Sequence, residues 1–254
     1  MHELKEKTAI ITGASKGIGE ATARHFGSLG ARTVLVARSK EAIEAIALEI
    51  REEGGESIAV ECDVADHDQV ETAVRTAIDA YDHIDIVINN AGLIDPIGRM
   101  TELSPEDWGK VIDVNVKGVY HMMRETLLHM EKRGSGTIIN ISSGAATSIL
   151  EGWSHYCSSK AAALMLTCAG DKEYASSGIR VVGLSPGTVA TDMQKEIKAS
   201  GVNPVSELEW EDHIPPEWVA KALAWLATED AREFDGGDVS LRDENIRKRA
   251  GITE

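Results

Sequence analysis

The sequence predicts a single α/β domain in which a doubly wound parallel sheet of about seven strands carries helices on both faces. Short runs that are apolar throughout recur along the chain, and longer stretches with helical spacing of apolar residues separate them. Strands that lack polar alternation are buried on both faces, as in a parallel sheet covered by helices. Ligands of such sheets bind beyond the carboxyl ends of the strands, so site residues are expected there.

Glycines mark where the first elements end. Gly13 follows the first apolar run, Gly30 ends the first helical stretch, and Gly54 and Gly55 stop a charged amphipathic helix. The apolar runs predicted as strands cover residues 8–12, 33–37, 57–61, 84–89, 137–142 and 180–184. The stretches predicted as helices cover residues 18–29, 40–53, 66–79, 104–133, 157–174 and 217–228.

Two segments depart from this alternating order. Residues 193–216 lack a helical or strand pattern, and they are predicted to form either a substrate lid or a connecting loop without function. A glycine-bearing strand within 234–241 closes the pattern, and a charged tail, 242–254, follows it. No repeat or low-complexity segment is present, so residues 1–254 are predicted to form one domain.

The composition excludes several classes of protein. Of the 254 residues, 43% are hydrophobic, which excludes a disordered chain. The 26 basic and 42 acidic side chains give a net charge of −16, which repels phosphate backbones, so no nucleic-acid partner is expected. No apolar run approaches the roughly 20 residues of a membrane span, and residues 1–7 lack a secretory pattern. Three cysteines at irregular spacing predict neither a disulfide framework nor a metal site, and the expected location is cytoplasmic.

The turn after the first predicted strand carries glycines at a spacing that suits a dinucleotide. Residues 12–19 read Thr-Gly-Ala-Ser-Lys-Gly-Ile-Gly. Glycines let the backbone turn tightly and approach a pyrophosphate, whose charge is attracted by unpaired N–H groups at the start of the next helix. An ordinary strand-to-helix turn is the alternative. The residues predicted to contact a cofactor here are Gly13, Ser15, Lys16, Gly17, Ile18 and Gly19.

These residues and those that follow resemble the short-chain dehydrogenase/reductase family over roughly residues 7–241. The motifs occur in the family's order: the glycine turn, Asp63-Val64, Asn89-Asn90-Ala91-Gly92, Asn115, Ser143, Tyr156-x-x-x-Lys160 and Pro186-Gly187. The resemblance implies a Rossmann-type fold and an oxidoreductase that interconverts a secondary alcohol and a ketone, or an aldehyde, by hydride transfer. It also implies a small alcohol or carbonyl substrate and a homodimer or homotetramer, although the charged tail leaves the particular interface open.

The end of the second strand decides which cofactor the resemblance favours. A carboxylate there accepts bonds from a ribose hydroxyl, whereas a basic residue accommodates the phosphate of NADP. The family's acidic position falls on Ala37, while Arg38 and Lys16 supply positive charge. The preferred cofactor is therefore NADP(H), with NAD(H) as the alternative. The other cofactor contacts that the resemblance implies are Asp63, Val64, Asn90, Ala91, Gly92, Pro186, Gly187, Val189 and Thr191.

Tyr156 and Lys160 lie four positions apart in a predicted helix, so their side chains share one face. A phenol has a pKa near 10, and a neighbouring ammonium favours its ionised form. We therefore expect Lys160, together with an oxidised nicotinamide, to lower the pKa of Tyr156 for acid–base catalysis. Both residues are also expected at the cofactor, because the resemblance gives Lys160 a bond to the nicotinamide ribose.

Ser143 and Asn115 complete the predicted catalytic set. Ser143 follows a predicted strand, and its hydroxyl can donate to the substrate oxygen as negative charge develops there. The neighbouring Ser142 is interpreted as a backbone cap. Asn115 lies in a helical stretch, where asparagine is unfavourable because it competes for backbone hydrogen bonds, and this misfit suggests a task. In the family the matching asparagine holds a water of a proton relay.

Several weaker signals stay open. Trp153 either faces an apolar substrate or packs in the core, and Asn89 is interpreted as structural. His155 and Cys157 lack partners at useful spacing, so no catalytic role is assigned to them. The acidic residues of the segment 193–216 disfavour anionic substrates: Glu196, Glu207, Glu209, Glu211 and Asp212. The alternative functions are an NAD(H)-dependent alcohol or polyol dehydrogenase and a dinucleotide sensor without turnover.

Overall fold

Seven parallel strands form one sheet in the order β3-β2-β1-β4-β5-β6-β7. The structure is a computed structural model, and it describes residues 4–253. The strands are β1 Thr8–Thr12, β2 Arg32–Ala37, β3 Glu56–Glu61, β4 Ile86–Asn89, β5 Gly136–Ile141, β6 Ile179–Ser185 and β7 Asp238–Ser240. The helices are α1 Gly17–Ser28, α2 Lys40–Glu52, α3 His67–Tyr81, α4 Pro105–Ile112, α5 Gly118–Arg133, α6 Ser154–Tyr174, α7 Asp192–Ser200, α8 Pro216–Leu226 and α9 Glu244–Arg249.

The chain leaves the middle of the sheet in two directions. It runs outward from β1 to β3, returns to β4 beside β1, and then runs outward again to β7. This reversal leaves a crevice at the carboxyl ends of β1 and β4, which is where doubly wound sheets bind ligands. Strands β1 and β6 are buried along their whole length, as their continuous apolar runs predict. The predicted doubly wound, Rossmann-type fold is therefore confirmed.

Helices cover both faces of the sheet. On one face, α1 and α8 bury side chains such as Phe26 and Leu223, and on the other face α5 buries Met122. Alternate residues of a strand enter the two layers, so Ile11 packs in the first and Ile10 in the second. Within residues 4–253, no helix combines the length and the apolar character that crossing a membrane requires.

The helix predicted over residues 104–133 is divided in the structure. Helices α4 and α5 flank a π-helical turn, Asp113–Lys117, that has Asn115 at its centre. A single wide turn hardly changes the helical spacing of apolar residues, so the sequence pattern does not show it. Turns of this kind are frequent at functional sites.

The segment 193–216 is more regular than the sequence predicts. Its first part belongs to α7, where Met193 and Ile197 pack four positions apart in one apolar cluster. Charged residues occupy most of the other positions of this short helix, so its apolar face is too narrow to stand out. The rest of the segment consists mainly of short 3₁₀ turns and a bridge between Val189 and Ile214.

The charged tail folds back onto the domain. The Asp243 side chain caps α9 by accepting a hydrogen bond from the backbone of Asn245, and Ile246 and Ile252 are buried. The guanidinium of Arg249 lies 5.0 Å from the ring centroid of Trp225 on α8. The described part of the tail is thus packed against the layer that α1 and α8 form.

Candidate active site

A cavity of about 890 Å³ opens at the carboxyl ends of the strands. This volume lies within the range of about 300–1,000 Å³ that is usual for small-molecule sites. The predicted site residues that line it are Gly13, Ser15, Lys16, Gly17, Ile18, Arg38, Asp63, Val64, Asn90, Ala91, Gly92, Ser143, Tyr156, Lys160, Pro186, Gly187, Val189 and Thr191. Gly19 and Asn115 are predicted site residues that do not line it.

The glycine turn brings two loops together at the floor of the cavity. Gly13 has a φ of +64°, and a β-carbon there would lie 2.9 Å from Cα of Ala91. A β-carbon at Gly19 would overlap the carbonyl oxygen of Gly13. Gly13 therefore shapes the cavity itself, whereas Gly19 lets α1 begin directly beneath the turn.

The start of α1 suits an anion. Lys16 occupies the N-cap position, and its side chain makes no capping hydrogen bond to the first helical turn. The backbone N–H groups of that turn therefore stay free to donate hydrogen bonds to a pyrophosphate. Gly17 and Ile18 of this turn lie on the cavity wall. A dinucleotide fits these residues, because the glycine turn lets the backbone approach the pyrophosphate closely. The N–H groups at the start of α1 carry the partial positive charge that attracts its phosphates.

Asn90 fixes the two loops that border the cavity. Its side-chain amide donates to the carbonyl oxygen of Thr12 over 2.9 Å, and its backbone N–H donates to the Thr12 hydroxyl over 3.0 Å. The backbone N–H of Ala91 donates to the same hydroxyl over 3.0 Å. Asn89 makes a different link, since its amide donates to Asn140 Oδ1 on β5 over 2.8 Å. Asn90 thus holds backbone in place, whereas Asn89 joins β4 to β5 through side chains, which is the structural role expected for Asn89.

The end of β2 carries the groups that were predicted to select NADP. Ala37 is buried, and the exposed Arg38 lines the cavity with Ser39 beside it. In the described part of the chain, Arg38 forms no ion pair. Lys16 is committed elsewhere, because its ammonium lies 3.2 Å from Asp192 Oδ2.

Asp63 lies on the cavity wall at the start of the loop after β3. Its carboxylate accepts a hydrogen bond from the backbone of Ala65 over 3.0 Å. Asp63 does not cap the next helix, because Asp66 caps α3 through the backbone N–H groups of Asp68 and Gln69.

Tyr156 and Lys160 are both buried on α6 at the inner end of the cavity. The Lys160 ammonium lies 5.6 Å from the centroid of the Tyr156 ring and donates to the carbonyl oxygen of Ile141 over 2.7 Å. Ser143, two residues beyond that carbonyl, hydrogen-bonds to the Tyr156 side chain. The hydroxyl of Ser143 also accepts from the backbone of Ala145 over 3.1 Å, which fixes its position. The predicted catalytic side chains Ser143, Tyr156 and Lys160 therefore lie close together at the inner end of the cavity.

Burial has the largest effect on the pKa values of Tyr156 and Lys160. Desolvation raises the pKa of Tyr156 to about 12, although the hydrogen bond from Ser143 acts in the opposite direction. Desolvation also lowers the pKa of Lys160 to about 8, and Asp238 opposes this change. Lys160 is not among the groups that shift the pKa of Tyr156 here, so the lowering expected from Lys160 together with an oxidised nicotinamide stays a prediction. At neutral pH Tyr156 keeps its proton and Lys160 its charge.

Asn115 lies behind the cavity rather than on its wall. Its Oδ1 accepts from the backbone N–H of Leu93 over 2.8 Å, and its amide donates to the Leu93 carbonyl over 2.8 Å and to Ser159 Oγ over 3.0 Å. A β-carbon at Gly92 would lie 3.5 Å from Asn115 Oδ1 and 3.9 Å from Lys160 Nζ. The π turn thus places Asn115 where it ties the loop after β4 to α6.

The side chains flanking the catalytic group have structural partners. Ser142 Oγ donates to Asp238 Oδ2 over 3.0 Å, so the interpretation of Ser142 as a backbone cap is wrong. His155 is fully buried, with Nε2 2.7 Å from the carbonyl oxygen of Pro96. Cys157 Sγ lies 3.7 Å from the carbonyl oxygen of Ser148. Both side chains therefore have structural partners, and the prediction that neither His155 nor Cys157 is catalytic stays a prediction.

Apolar side chains from three segments surround the inner end of the cavity. They form one cluster with Tyr156, and those that also line the cavity are Ile94, Ala145, Leu150, Trp153, Met193, Ile197 and Val205. The Trp153 and Tyr156 rings are 5.5 Å apart, edge to face. Trp153 is buried in this cluster and also lines the cavity, and its contact with an apolar substrate stays a prediction.

Three charged residues of the site escaped the sequence analysis or were underrated by it. Asp95 and Glu196 line the cavity, and burial together with Asp95 raises the pKa of Glu196. The other acidic residues of the segment 193–216 singled out above do not line it. Arg242, assigned to the tail, also lines the cavity beside Gly187. The spacing of these residues in the sequence does not predict their place in the site, because each is brought there by the path of the chain after β4, β6 or β7.

Comparison with known proteins agrees with this geometry. The family model described as short chain dehydrogenase matches residues 7–201. The chain is 36% identical over 238 residues to a 3-oxoacyl-[acyl-carrier-protein] reductase of Synechocystis sp., with 93% of this chain and 95% of that protein covered. It is 35% identical to glucose 1-dehydrogenase 2 of Bacillus subtilis, with 92% of each chain covered.

A steroid enzyme and a solved structure extend this comparison. The chain is 37% identical to 3beta-hydroxysteroid dehydrogenase 1 of Eggerthella lenta, with 92% of this chain and 91% of that protein covered. The crystal structure of levodione reductase superposes with a TM-score of 0.88 at 25% identity, over 94% of this chain and 97% of that one. The chain therefore belongs to the short-chain dehydrogenase/reductase family, oxidoreductases that act on CH–OH groups with NAD(P).

Proposed function

We propose that this protein is an NADP(H)-dependent oxidoreductase that interconverts a secondary alcohol and a ketone, or an aldehyde. The observation that carries the proposal is the meeting of Tyr156, Lys160 and Ser143 at the inner end of the dinucleotide cavity. A sensor without turnover has no use for a buried tyrosine and lysine, both of which cost free energy to desolvate.

The catalytic roles follow from these positions. A bound nicotinamide cofactor supplies or accepts the hydride. Tyr156 donates its proton to the carbonyl oxygen, and Ser143 donates a hydrogen bond that strengthens as charge develops on that oxygen. Lys160 provides positive charge beside Tyr156 and, by family resemblance, a bond to the ribose. Asn115 supports this group by holding Leu93 and Ser159, and its part in a proton relay rests on the resemblance.

We keep the cofactor contacts proposed from the sequence, because nearly all of these residues line the cavity. The glycine turn would hold the pyrophosphate, Asp63 and Val64 the adenine, and Val189 and Thr191 the nicotinamide. The proposal for NADP rests mainly on Arg38, which lines the cavity without an ion pair in residues 4–253. Fluorescence titration with NADPH and NADH tests it, and equal dissociation constants would contradict it.

The substrate we propose is a small, uncharged alcohol or ketone with an apolar substituent. The apolar cluster around Trp153 supports it, because burial of such a substituent is favourable. Asp95 and Glu196 on the cavity wall disfavour a carboxylate or a phosphate. The names of three relatives give a 3-oxoacyl-[acyl-carrier-protein], glucose and a 3beta-hydroxysteroid as substrates, so family membership alone does not identify the substrate.

An activity screen tests the proposed function. NADPH oxidation is measured against ketones and aldehydes of graded size and polarity, and NADP reduction against the matching alcohols. Turnover that Tyr156→Phe abolishes supports the proposal. Cofactor binding without turnover on any member of the panel favours the sensor.

We also propose that the protein self-associates as a homodimer or homotetramer in the cytoplasm, as the family resemblance implies. Large apolar side chains on α5 and α6 support self-association, since Tyr120, Leu128 and Met165 are 50%, 50% and 67% exposed. Light scattering after size-exclusion chromatography measures the mass, and a monomer at micromolar concentration would contradict this proposal.

A further inference from the structure

A carboxylate from the last strand reaches across the sheet toward the catalytic lysine. Asp238 on β7 is paired with Gly183 on β6, and Ser142 follows β5 on the far side of β6. The Asp238 carboxylate nevertheless accepts a hydrogen bond from Ser142 Oγ over 3.0 Å. It therefore spans the intervening strand β6.

Gly183 makes this reach feasible. A β-carbon at position 183 would lie 2.7 Å from Asp238 Oδ1, so any side chain there would displace the carboxylate. The position of the Asp238 carboxylate thus depends on the absence of a side chain at Gly183 and on the hydrogen bond from the Ser142 hydroxyl.

The same corner of the backbone holds Lys160. The carbonyl oxygen of Ile141 accepts from the Lys160 ammonium over 2.7 Å, and the next residue, Ser142, donates to Asp238. Ser143, the next residue again, contacts Tyr156. Three consecutive residues therefore connect Asp238, Lys160 and Tyr156.

The charges around the lysine are few. In the described part of the chain, the titratable groups that act on this corner are Asp238 from β7 and Tyr156, Cys157 and Lys160 from α6. Asp238 raises the pKa of Lys160, against the larger effect of burial. Ser142 and Lys160 in turn hold down the pKa of Asp238, which desolvation raises.

We propose that Asp238 is a positioning residue of the active site, which holds the corner at Ile141 and Ser142 and keeps the amine of Lys160 charged. This inference rests on the proposed function, because a charged lysine matters only where Tyr156 exchanges a proton. Asp238 does not touch the reacting atoms, and it acts through its neighbours.

The decisive variant is Asp238→Asn, which keeps the size of the side chain and an oxygen for Ser142 but removes the charge. The measurement is a pH titration of lysine labelled with carbon-13 at Cε, followed by NMR, with the Lys160 signal assigned by Lys160→Arg. We expect the midpoint of Lys160 to fall by roughly 0.2–0.7 pH unit, because Asp238 is exposed and solvent screens its charge. The alkaline limit of ketone reduction should move in the same direction.

The matched control is Asp171→Asn. Asp171 lies against Gly236 near β7 and interacts with Asp235, and it is not among the groups that act on Lys160. This variant removes an equal charge and should leave the midpoint of Lys160 in place.

An unchanged Lys160 midpoint in folded Asp238→Asn overturns the proposal, and so does a loss of activity that is uniform across pH. If Asp238→Asn does not fold, Gly183→Ala decides, since it displaces the carboxylate while Asp238 remains. A lowered midpoint there supports the proposal, and an unchanged one contradicts it. The titration does not require turnover, so failure to find a substrate would count against the proposed function alone.

Discussion

The ammonium of Lys16 lies 3.2 Å from the carboxylate of Asp192, which joins the turn after β1 to the first residue of α7. Both side chains are about half exposed or more, and Lys195 shares the carboxylate over 2.9 Å. Exposed pairs of this kind contribute roughly 0–1 kcal/mol, so Lys16 can exchange Asp192 for another anion at little cost. Arg38, which forms no ion pair within residues 4–253, is the first candidate for recognition of the NADP phosphate, and Lys16 is the second.

Arg38→Gln should weaken NADPH binding by about tenfold or more and leave NADH binding nearly unchanged, because a guanidinium bond to phosphate contributes roughly 1.5–3 kcal/mol. Lys16→Gln should have a smaller effect. The measurement is fluorescence titration with both cofactors. Lys40→Gln is the control, since Lys40 begins α2 two residues after Arg38 and does not line the cavity. Equal losses of affinity for NADPH and NADH would show that Arg38 does not recognise the phosphate of NADPH.

Tyr156→Phe should lower the turnover of ketone reduction by about 10²–10⁴-fold, the usual contribution of a general acid. Binding of NADPH should stay nearly intact, because the substitution removes only the hydroxyl. Steady-state kinetics and cofactor titration give the two values. Retention of more than a tenth of the turnover would move the proton donor to another group.

The pH dependence of reduction should follow Lys160. Its pKa is about 8, below that of an ordinary lysine, so its charge is present at neutral pH and lost as the pH rises through about 8. Because that charge stabilises the developing phenolate of Tyr156, kcat/KM for reduction should be level below this value and fall above it. Lys160→Arg should move the decline to higher pH, since arginine keeps its proton. A profile that stays level to pH 10 would exclude this role.

The acidic residues of the cavity wall should discriminate against anionic substrates. A ketone that bears a carboxylate should react more slowly than its methyl ester, and Glu196→Gln should raise kcat/KM for the acid about two- to fivefold, as expected for one partly exposed charge. Glu211→Gln is the control, because Glu211 does not line the cavity. An equal response to both variants would assign the effect to net charge rather than to position.

The sequence was most informative where chemistry imposes a spacing. The alternating apolar runs predicted the sheet, and the glycine turn with Tyr156 and Lys160 predicted side chains that the structure brings to one cavity. The sequence was least informative where the path of the chain determines which residues come into contact. The π turn at Asn115 leaves the helical spacing almost unchanged, and Asp238 reaches Ser142 only because the sheet places β5 and β7 on either side of β6.

The pKa of Tyr156 shows a further limit. The spacing of Tyr156 and Lys160 predicts attraction between a phenolate and an ammonium, but the largest effect on the pKa of each group is burial, which removes it from water. Burial of a side chain depends on the packing of the whole domain, which no local motif contains.

The apolar cluster at the inner end of the cavity draws its members from separate connections: the loop after β4, the loop after β5 and the segment that contains α7. None of these connections contains the glycine turn or Arg38. Loops transplanted from a relative at these three places, with Asn90, Ala91, Gly92, Ser143, Val189 and Thr191 kept, should therefore exchange the preferred alcohol while the dinucleotide affinity is retained, which makes the fold a modular scaffold for engineering new reductases.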